Sequence, residues 1–365
     1  MQSSTALYLP RLDHLRFMAA MLVYTWHAVH VSSAIPMTSA PMIPLSIFEE
    51  GHTGVSFFLT LSGFILAALC TGRRVLYGAF IRNRVLRIAP LLVVWTLLYF
   101  YTGAIAPERL FVMFFGLLVN TAGQFPGPGW TVIIEFQFYL LLPFLLVFVE
   151  RHGLRYLFGL IGVAIMLRTL FYFRSDDVLY LAYHTAFGRV DQFALGIVAF
   201  HVHRSGKVPR NPLLLVFVVA VWLLLYHQFN RFGGYYHLPY RQVWIFLPTL
   251  EGVFYSLITV TYLSAAIRIP AVLDRTAAWL GTISYSLYLN HWELVLVCGR
   301  WAGKLGLTLD TPQSVLLLAF AIELPLLIAM SAATYYVIER PFLSLRRSYL
   351  APETAATDEP IRRAG

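Results

Sequence analysis

Ten apolar stretches, each close to the length at which a helix crosses a membrane, follow one another along almost the whole chain of 365 residues. A helix needs about 20 predominantly apolar residues to span the hydrocarbon core of a bilayer. Charged residues make up only 12% of the chain, about half of their share in soluble domains. The sequence therefore predicts an all-helical, multi-pass membrane protein with about ten transmembrane helices. The predicted spans are 15–34, 55–70, 88–106, 131–149, 154–173, 186–203, 213–229, 243–266, 277–299 and 313–338.

The distribution of arginine residues predicts the orientation of these spans. Cytoplasmic loops of membrane proteins are enriched in Arg and Lys, and segment 71–87 alone contains five arginines. The apolar run 110–122, at about 13 residues, is too short to cross and is predicted to be a re-entrant or interfacial helix. With that assignment both termini are cytoplasmic, and the Gly/Pro-rich segment 123–129 is extracytoplasmic. One membrane domain is predicted at 9–345, followed by a polar, disordered tail at 349–365.

The net charge of +9 is explained by those cytoplasmic loops. No basic surface with stacking aromatic residues stands apart from the predicted spans, so nucleic-acid binding is not predicted. His201 and His203 lie two residues apart, on opposite sides of a helix, and do not form a zinc site. The sequence predicts no metal site and no permanently bound cofactor, and it carries no indication of oligomeric state.

The first predicted span contains two ionisable residues, Arg16 and His27, which are eleven residues apart. An Arg at the centre of a span costs roughly 2.5–3.5 kcal/mol on insertion scales, so an ionisable residue in a span is a functional-site hypothesis. At about 1.5 Å per residue, a helix separates these two by roughly 16 Å. If Arg16 lies at the cytoplasmic face, His27 lies beyond the middle of the membrane. Such a pair fits a reaction that crosses the bilayer.

The ionisable residues of the predicted spans, including Arg16 and His27, divide into two groups by their predicted depth in the membrane. The outer half of the membrane is predicted to hold His27, Glu135, Arg189, Asp191 and His291. The cytoplasmic side is predicted to hold Asp13, Arg16, Arg82, Arg84 and Arg87. The convergence of the first group from four spans predicts an aqueous cavity. Because Arg189 and Asp191 are only two residues apart, they do not face each other on a helix, and partners on other spans are expected.

Six sequence motifs follow one another in order between residues 9 and 345. They are RLDHLRFMAAMLVYTWH with Asp13, Arg16 and His27; GVSFFLTLSGFILA with Ser62; RNRVLRIAP with Arg84 and Arg87; GWTVIIEFQFYLLLP with Trp130, Glu135 and Tyr139; ISYSLYLNH with Tyr288 and His291; and IERPF. In this order they resemble the motifs of the acyltransferase 3 family of bacterial membrane acyltransferases. Departures occur where that family frequently has Gly, Asp, a second Glu and Trp, at His14, Ser56, Phe136 and Asn290.

The resemblance implies an enzyme of the bacterial inner membrane that transfers an acyl group, usually acetyl, from cytoplasmic acyl-coenzyme A. The implied acceptor is a sugar hydroxyl of exopolysaccharide, lipopolysaccharide or a lipid-linked precursor. Some members of the family carry a fused extracytoplasmic domain, and the stand-alone form is expected here. The expected partners are therefore acyl-coenzyme A as co-substrate, a carbohydrate acceptor and the lipid bilayer.

The cytoplasmic arginines suit such a donor. Coenzyme A carries a pyrophosphate and a 3′-phosphate, and the planar guanidinium of Arg contacts phosphate through two parallel hydrogen bonds. Arg16, Arg84 and Arg87 lie on the side where the donor is made. They are predicted to bind it.

The chemical step is assigned to His27. An imidazole titrates near neutral pH, and His27 is predicted either to deprotonate the acceptor or to carry the acyl group briefly. Glu135 or Asp191 is predicted to orient the imidazole, and Ser62 or Tyr288 to hydrogen-bond the acceptor or the oxyanion. The remaining supporting positions are Asp13, Trp130, Tyr139, Arg189 and His291.

A transporter or flippase of a polysaccharide precursor is the alternative interpretation. It also accounts for ten spans and a polar cavity on the outer side. Transporters of that kind usually contain internal repeats with interrupted helices at matching positions. The sequence shows no such repeat, which favours the acyltransferase.

Overall fold

The computed structural model describes residues 9–32, 43–103, 108, 127–237, 241–309 and 311–351. Within these ranges the regular structure is helical, apart from one isolated bridge between Val75 and Leu350. The helices are α1 Pro10–Ser32, α2 Ile43–Glu49, α3 Gly54–Cys70, α4 Tyr77–Tyr101, α5 Gly129–His152, α6 Arg155–Ser175, α7 Leu179–His184, α8 Ala186–Arg204, α9 Pro212–Arg231, α10 Gly234–His237, α11 Val243–Ser264, α12 Ala271–Thr282 and α13 Ser284–Lys304. A last helix, α14, begins with Pro312–Leu317 and ends with Arg340–Ser344.

Seven helices in the described part of the chain are long and apolar enough to cross a membrane, namely α3, α4, α5, α6, α9, α11 and α14. This confirms the prediction of an all-helical protein with several membrane-spanning helices. Three further predicted spans fall in α1, α8 and α13, which are helical over most of the predicted lengths but carry more polar side chains. The total of ten crossings and the side of each terminus stay predictions.

The predicted span 277–299 combines two helices and is corrected by the structure. α12 ends at Thr282 and α13 begins at Ser284, and Ile283 between them has φ −90° and ψ 8°. Just before the break, Gly281 touches α1 so closely that an added Cβ would lie 2.0 Å from the carbonyl oxygen of Asp13. Apolar composition continues across this break, so hydropathy alone does not reveal it.

α14 contains two π-helical stretches, Leu318–Glu323 and Tyr335–Glu339. Each stretch ends in a buried glutamate. π-Helical turns are rare and frequently occur at functional sites. The second one carries Glu339 of the IERPF motif, and Glu339 Oε2 accepts a hydrogen bond from Arg87 Nη1 at 2.9 Å. The last helix thereby joins the arginine motif of α4.

The centre of the bundle depends on close contact between α3 and α8. A Cβ added to Gly63 would lie 2.2 Å from the carbonyl oxygen of Phe193, and one added to Gly196 would lie 2.0 Å from that of Thr60. Small residues at such positions let two helix backbones approach within a membrane, where packing drives association. This contact positions the motif of α3 against the polar residues of α8.

The segment after α14 returns to the start of α4. Leu76 N donates to the carbonyl oxygen of Tyr349 at 2.8 Å, and Ala351 N donates to that of Arg74 at 3.0 Å. The side chain of Asn83 bonds both the backbone N–H and the carbonyl oxygen of Arg347. Residues 349–351 of the predicted tail are thus held in place, while 352–365 and the predicted re-entrant helix 110–122 lie outside the described residues.

Candidate active site

His27 lies in the wall of a cavity of about 340 Å³. Because α1 is one helix from Pro10 to Ser32, the predicted separation of roughly 16 Å between Arg16 and His27 holds. The described residues around the cavity are mainly aromatic, and these comprise Trp26, Trp130, Trp292, Tyr183, Tyr235, Tyr236 and Tyr288, together with His27, His30 and His184. A cavity is therefore present at His27, but of the ionisable residues that were expected to converge there only His27 is among the described residues that line it. Its position on the outer side of the membrane stays a prediction.

Hydrogen bonds fix both the orientation and the tautomer of His27. Its Nδ1 lies 2.9 Å from the carbonyl oxygen of Val23 and 3.0 Å from Nε2 of His291. In turn, Nδ1 of His291 lies 2.6 Å from the carbonyl oxygen of Tyr288. Carbonyl oxygens only accept, so both Nδ1 atoms carry a hydrogen, and Nε2 of a neutral His291 accepts from His27. The unprotonated nitrogen of His27 is then Nε2, as a general base requires.

Two indole rings, those of Trp26 and Trp292, contact the imidazole of His27. The Trp26 ring centroid lies 4.6 Å from that of His27, and the Trp292 centroid lies 4.9 Å away with the rings perpendicular. Gly127, at φ +57°, packs on Trp292, where a Cβ would come 2.9 Å from Cδ1. A left-handed backbone and this contact both favour glycine. Gly127 and Pro128, which directly precede α5, thereby form one side of the cavity.

Trp130 and His184 form another part of the wall. Their ring centroids are 4.6 Å apart, and Trp130 also packs on Tyr183 at 5.4 Å. Burial, followed by the charge of Arg189, lowers the pKa of His184 to about 4. His184 is therefore uncharged at neutral pH, and it contributes a polar but neutral side chain to the cavity.

Glu135 does not contact His27, which corrects one predicted role. Its Oε1 accepts hydrogen bonds from Ser62 Oγ, at 2.5 Å, and from Tyr139 Oη. These two donors come from α3 and from the next turn of α5, so the carboxylate is turned toward the arginine side of the bundle. His291 occupies the orienting position that was predicted for Glu135 or Asp191.

Asp191 also has partners other than His27. Its Oδ2 lies 2.6 Å from Nη2 of Arg168 and accepts a hydrogen bond from Thr249. Both ionic side chains are completely buried, and a buried charge needs such a partner. Sequence reasoning missed Arg168, although an Arg inside the predicted span 154–173 was the available signal. As expected, Asp191 and Arg189 have different partners.

Arg189 and Glu251 belong to one buried network. Arg189 Nη1 donates to Ser56 Oγ at 3.1 Å, and Ser56 Oγ donates to Glu251 Oε2 at 2.6 Å. Gln192 bonds to all three of these side chains. The Arg189 guanidinium also lies over the ring of Tyr183, at 4.2 Å. Glu251 was missed as well, and its position inside the apolar span 243–266 was the signal.

The motif arginines gather near the cytoplasmic end assigned by the sequence. Arg84 lies over the rings of Tyr139 and Tyr349, at 5.6 and 5.9 Å, and Arg87 pairs with Glu339. Arg346 joins them from the segment after α14. Desolvation, followed by the charges of Arg87 and Arg84, lowers the pKa of Arg346, although its side chain keeps an exposed surface. The group therefore carries repelling positive charges, which an anion would relieve.

Arg16 connects this group to Glu135. It pairs with Asp13 at 3.3 Å and is only partly exposed, and it interacts electrostatically with Arg87, Glu135 and Tyr139. The three predicted donor-binding arginines thus belong to one electrostatic neighbourhood. The structure brings together the predicted residues in two groups. The first lies at the cavity and consists of His27, His291, Trp130 and Tyr288. The second lies around the motif arginines and consists of Asp13, Arg16, Ser62, Arg84, Arg87, Glu135 and Tyr139.

Comparison with known proteins agrees with this arrangement of motifs. The family model described as an acyltransferase domain matches residues 9–335. The chain belongs to the acyltransferase 3 family. It is 26% identical over 329 residues to ORF330 of Acidianus two-tailed virus, named as an acetyltransferase, with 87% of this chain and 90% of the relative covered. No solved structure matches the chain.

A second acyltransferase relative is the peptidoglycan O-acetyltransferase OatA of Listeria monocytogenes. It is 24% identical over 327 residues, which cover 79% of this chain and 49% of OatA. The chain therefore spans about half the length of that relative. Family membership and the two relatives support an acyltransferase enzyme of the O-acetyltransferase type.

Two departures from the acyltransferase 3 pattern have structural explanations. Where the family frequently has Asp, Ser56 hydrogen-bonds to Glu251, so a carboxylate from α11 enters the network of Arg189. Where the family frequently has Trp, buried Asn290 accepts a hydrogen bond from Trp95 Nε1 at 2.9 Å and donates to α14. Asn290 thereby ties helices together and does not line the cavity. Nothing in the structure explains Phe136.

Proposed function

We propose that this acyltransferase moves an acetyl or short acyl group from cytoplasmic acyl-coenzyme A to a sugar hydroxyl on the outer side of the bacterial inner membrane. The observation that carries the proposal is the course of α1. One uninterrupted helix bears Arg16 beside the arginine group and His27 in the aromatic cavity. The two substrates then enter from opposite ends and meet at His27.

The positive charge of the arginine group indicates where the acyl donor binds. The phosphates of coenzyme A are multiply anionic, and the arginine group has an excess of positive charge, since Arg16 pairs with Asp13 and Arg87 with Glu339 while Arg84 stacks on aromatic rings. Charge-assisted hydrogen bonds to phosphate are stronger than neutral ones. Phosphates bound here leave the thioester free to extend between the helices toward His27.

The chemical step uses the lone pair on Nε2 of His27. As the acceptor oxygen attacks the thioester carbonyl, its proton moves to Nε2, the new C–O bond forms and the C–S bond breaks. The protonated imidazole then returns the proton to the leaving thiolate, so atoms and charge balance. In the second form of the mechanism, Nε2 attacks first and displaces coenzyme A as its thiolate. The sugar hydroxyl then attacks the resulting acyl-imidazole, the C–N bond breaks to restore Nε2, and the hydroxyl proton passes to the thiolate. Mass spectrometry of enzyme quenched with donor alone distinguishes the two, because only the second adds an acetyl group to the protein.

The deciding experiment measures acetylation and export together. Surface glycans from cells with and without the chain are compared by mass spectrometry, and the acyltransferase predicts a difference of one acetyl group per modified sugar. Loss of export with unchanged acetylation would identify a transporter of the precursor instead. Purified enzyme with radiolabelled acetyl-coenzyme A and the isolated glycan provides the direct assay.

Topology is tested by labelling single cysteines. Gly78 has open space around the position of a Cβ, and the proposal places it in the cytoplasm, whereas Gly123 belongs to the segment predicted outside. Cysteines at these two positions should react with an impermeant reagent from opposite sides of the membrane. Reaction from the same side would contradict the assignment of the donor and acceptor ends.

A further inference from the structure

The residues that line the cavity at His27 indicate whether the acceptor sugar carries a charge. None of the described residues that line it is Asp, Glu, Lys or Arg, and His184 is neutral at pH 7 because burial and Arg189 lower its pKa. Moving a carboxylate out of water into such a site leaves its charge without a contacting partner. The negative faces of the aromatic rings make the site still less favourable for an anion.

Two charged groups that lie behind aromatic residues of this wall are already bound by other partners. Arg189 lies behind Tyr183 and shares its network with the opposite charge of Glu251. Glu50 lies behind Tyr235 and accepts hydrogen bonds from the Tyr235 N–H at 3.1 Å and from Asn230 at 2.9 Å. Because each group is bound by its own partners, neither is available to pair with a charge in the cavity.

The same wall suits the ring of a neutral sugar. The C–H faces of a pyranose are weakly positive and pack on the negative faces of aromatic rings. Trp26 stacks with Tyr236 at 6.0 Å and 22°, which makes a continuous aromatic surface next to His27. The volume of about 340 Å³ is at the small end of the range of about 300–1,000 Å³ for ligand pockets. A short glycan segment therefore matches the space.

We infer that the cavity binds a pyranose unit without an acidic group, a neutral hexose or N-acetylhexosamine, and rejects uronic acids and other acidic sugars. This inference rests on the proposed function for its acceptor site and adds the class of sugar. Selection follows from desolvation: the hydroxyl groups of a neutral sugar retain bonding partners at the mouth and at His27, whereas a carboxylate loses its hydration and gains no cation. The sugar hydroxyl that reaches Nε2 of His27 is the one acetylated.

The test compares three probes that differ at one carbon. Methyl β-glucopyranoside, methyl β-glucuronoside and the methyl ester of that glucuronoside are titrated into the purified full chain, and binding is measured by calorimetry and by tryptophan fluorescence. The ester keeps the oxidised carbon but has no charge, so it separates the effect of charge from the loss of the 6-hydroxyl. We expect the glucoside and the ester to bind similarly and the free acid to bind at least about tenfold more weakly.

A charge introduced at the mouth supplies a second test. Tyr236 is 49% exposed, and Tyr236→Lys should strengthen binding of the glucuronoside without a corresponding gain for its ester. Tyr101→Lys, at an exposed position on α4, adds the same charge away from the cavity and should change neither. If Tyr236→Lys does not fold, the three probes on the unmodified chain still decide the question.

The outcomes separate this inference from the proposed function. Equal binding of acid and ester, or no binding of any probe, would overturn the inference. If the neutral probes bind but the unmodified enzyme transfers no label from acetyl-coenzyme A to any glycan, the inference stands and the proposed acetyl transfer fails. If label is transferred to acidic sugars as readily as to neutral ones, the enzyme activity stands and the inference fails.

Discussion

The cavity at His27 and the arginine group differ in the charge of the side chains that form them. The described residues that line the cavity at His27 are mainly aromatic and include no Asp, Glu, Lys or Arg, while the group around Arg84, Arg87 and Arg346 concentrates positive charge. An aromatic wall selects by shape and by exclusion of charge, whereas an arginine group selects by attraction to phosphate. The difference indicates that the cavity at His27 governs the chemical step and the choice of acceptor. The arginine group then governs the affinity for the donor.

The largest effect is expected at His27. His27→Ala removes the base, and we expect kcat to fall by about 10²–10⁴-fold with little change in the affinity for acetyl-coenzyme A. His30→Ala is the matched control, because His30 is also on α1, lines the cavity and bonds the carbonyl oxygen four residues before it, at 2.8 Å. Normal acetylation by the His27 variant at normal abundance would refute the assignment of the chemical step.

The second effect tests the arginine end. In Arg84→Ala/Arg87→Ala we expect KM for acetyl-coenzyme A to rise by about tenfold or more, since a hydrogen bond to a charged group contributes about 1.5–3 kcal/mol. The Lys/Lys variant keeps the charge but loses the planar fork, so its KM should lie between those of the wild type and the Ala/Ala variant. An unchanged KM in a well-inserted Ala/Ala variant would reduce these arginines to topological anchors.

His291 is expected to act through His27 as a positioning residue. His291→Ala removes one of the two acceptors for Nδ1–H of His27. Because Val23 still accepts from the same nitrogen, kcat should fall by only about tenfold. KM for the donor should be unchanged. His291→Gln offers a replacement acceptor and should recover part of the loss. Equal loss in the Ala and Gln variants, or a matching fall in protein stability, would indicate a structural role.

The smallest effect is expected at the rear of the aromatic wall. Glu50→Ala removes the acceptor for the Tyr235 N–H and for Asn230, so the wall loses part of its support and KM for the glycan should rise a few-fold. Glu49→Ala is the control, since Glu49 bonds Asn230 at 2.9 Å but not Tyr235. A change in donor KM in the Glu50 variant would show that the two ends are not independent.

Hydropathy recognises seven helices of the described part of the chain as membrane spans, but not α1, which carries His27. Helices α3 to α6, α9, α11 and α14 qualify as spans by length and composition, while α1, α8 and α13 carry residues such as Arg16, Arg189 and His291. An ionisable side chain lowers the mean hydropathy of its helix but is tolerated where the bundle encloses it. The residues that weaken the span signal of α1 and α13 therefore include His27 and His291, which meet beside the cavity.

The sequence by itself determined the membrane-spanning helical fold, the family motifs and the separation of Arg16 from His27. These depend on composition, order and the fixed rise of one helix, which are local properties. The link between His27 and His291, the pairing of Asp191 with Arg168 and the aromatic cavity were decided by the tertiary structure. Such contacts depend on how each helix is rotated about its axis and which neighbour it meets, and a single helix does not encode its neighbours.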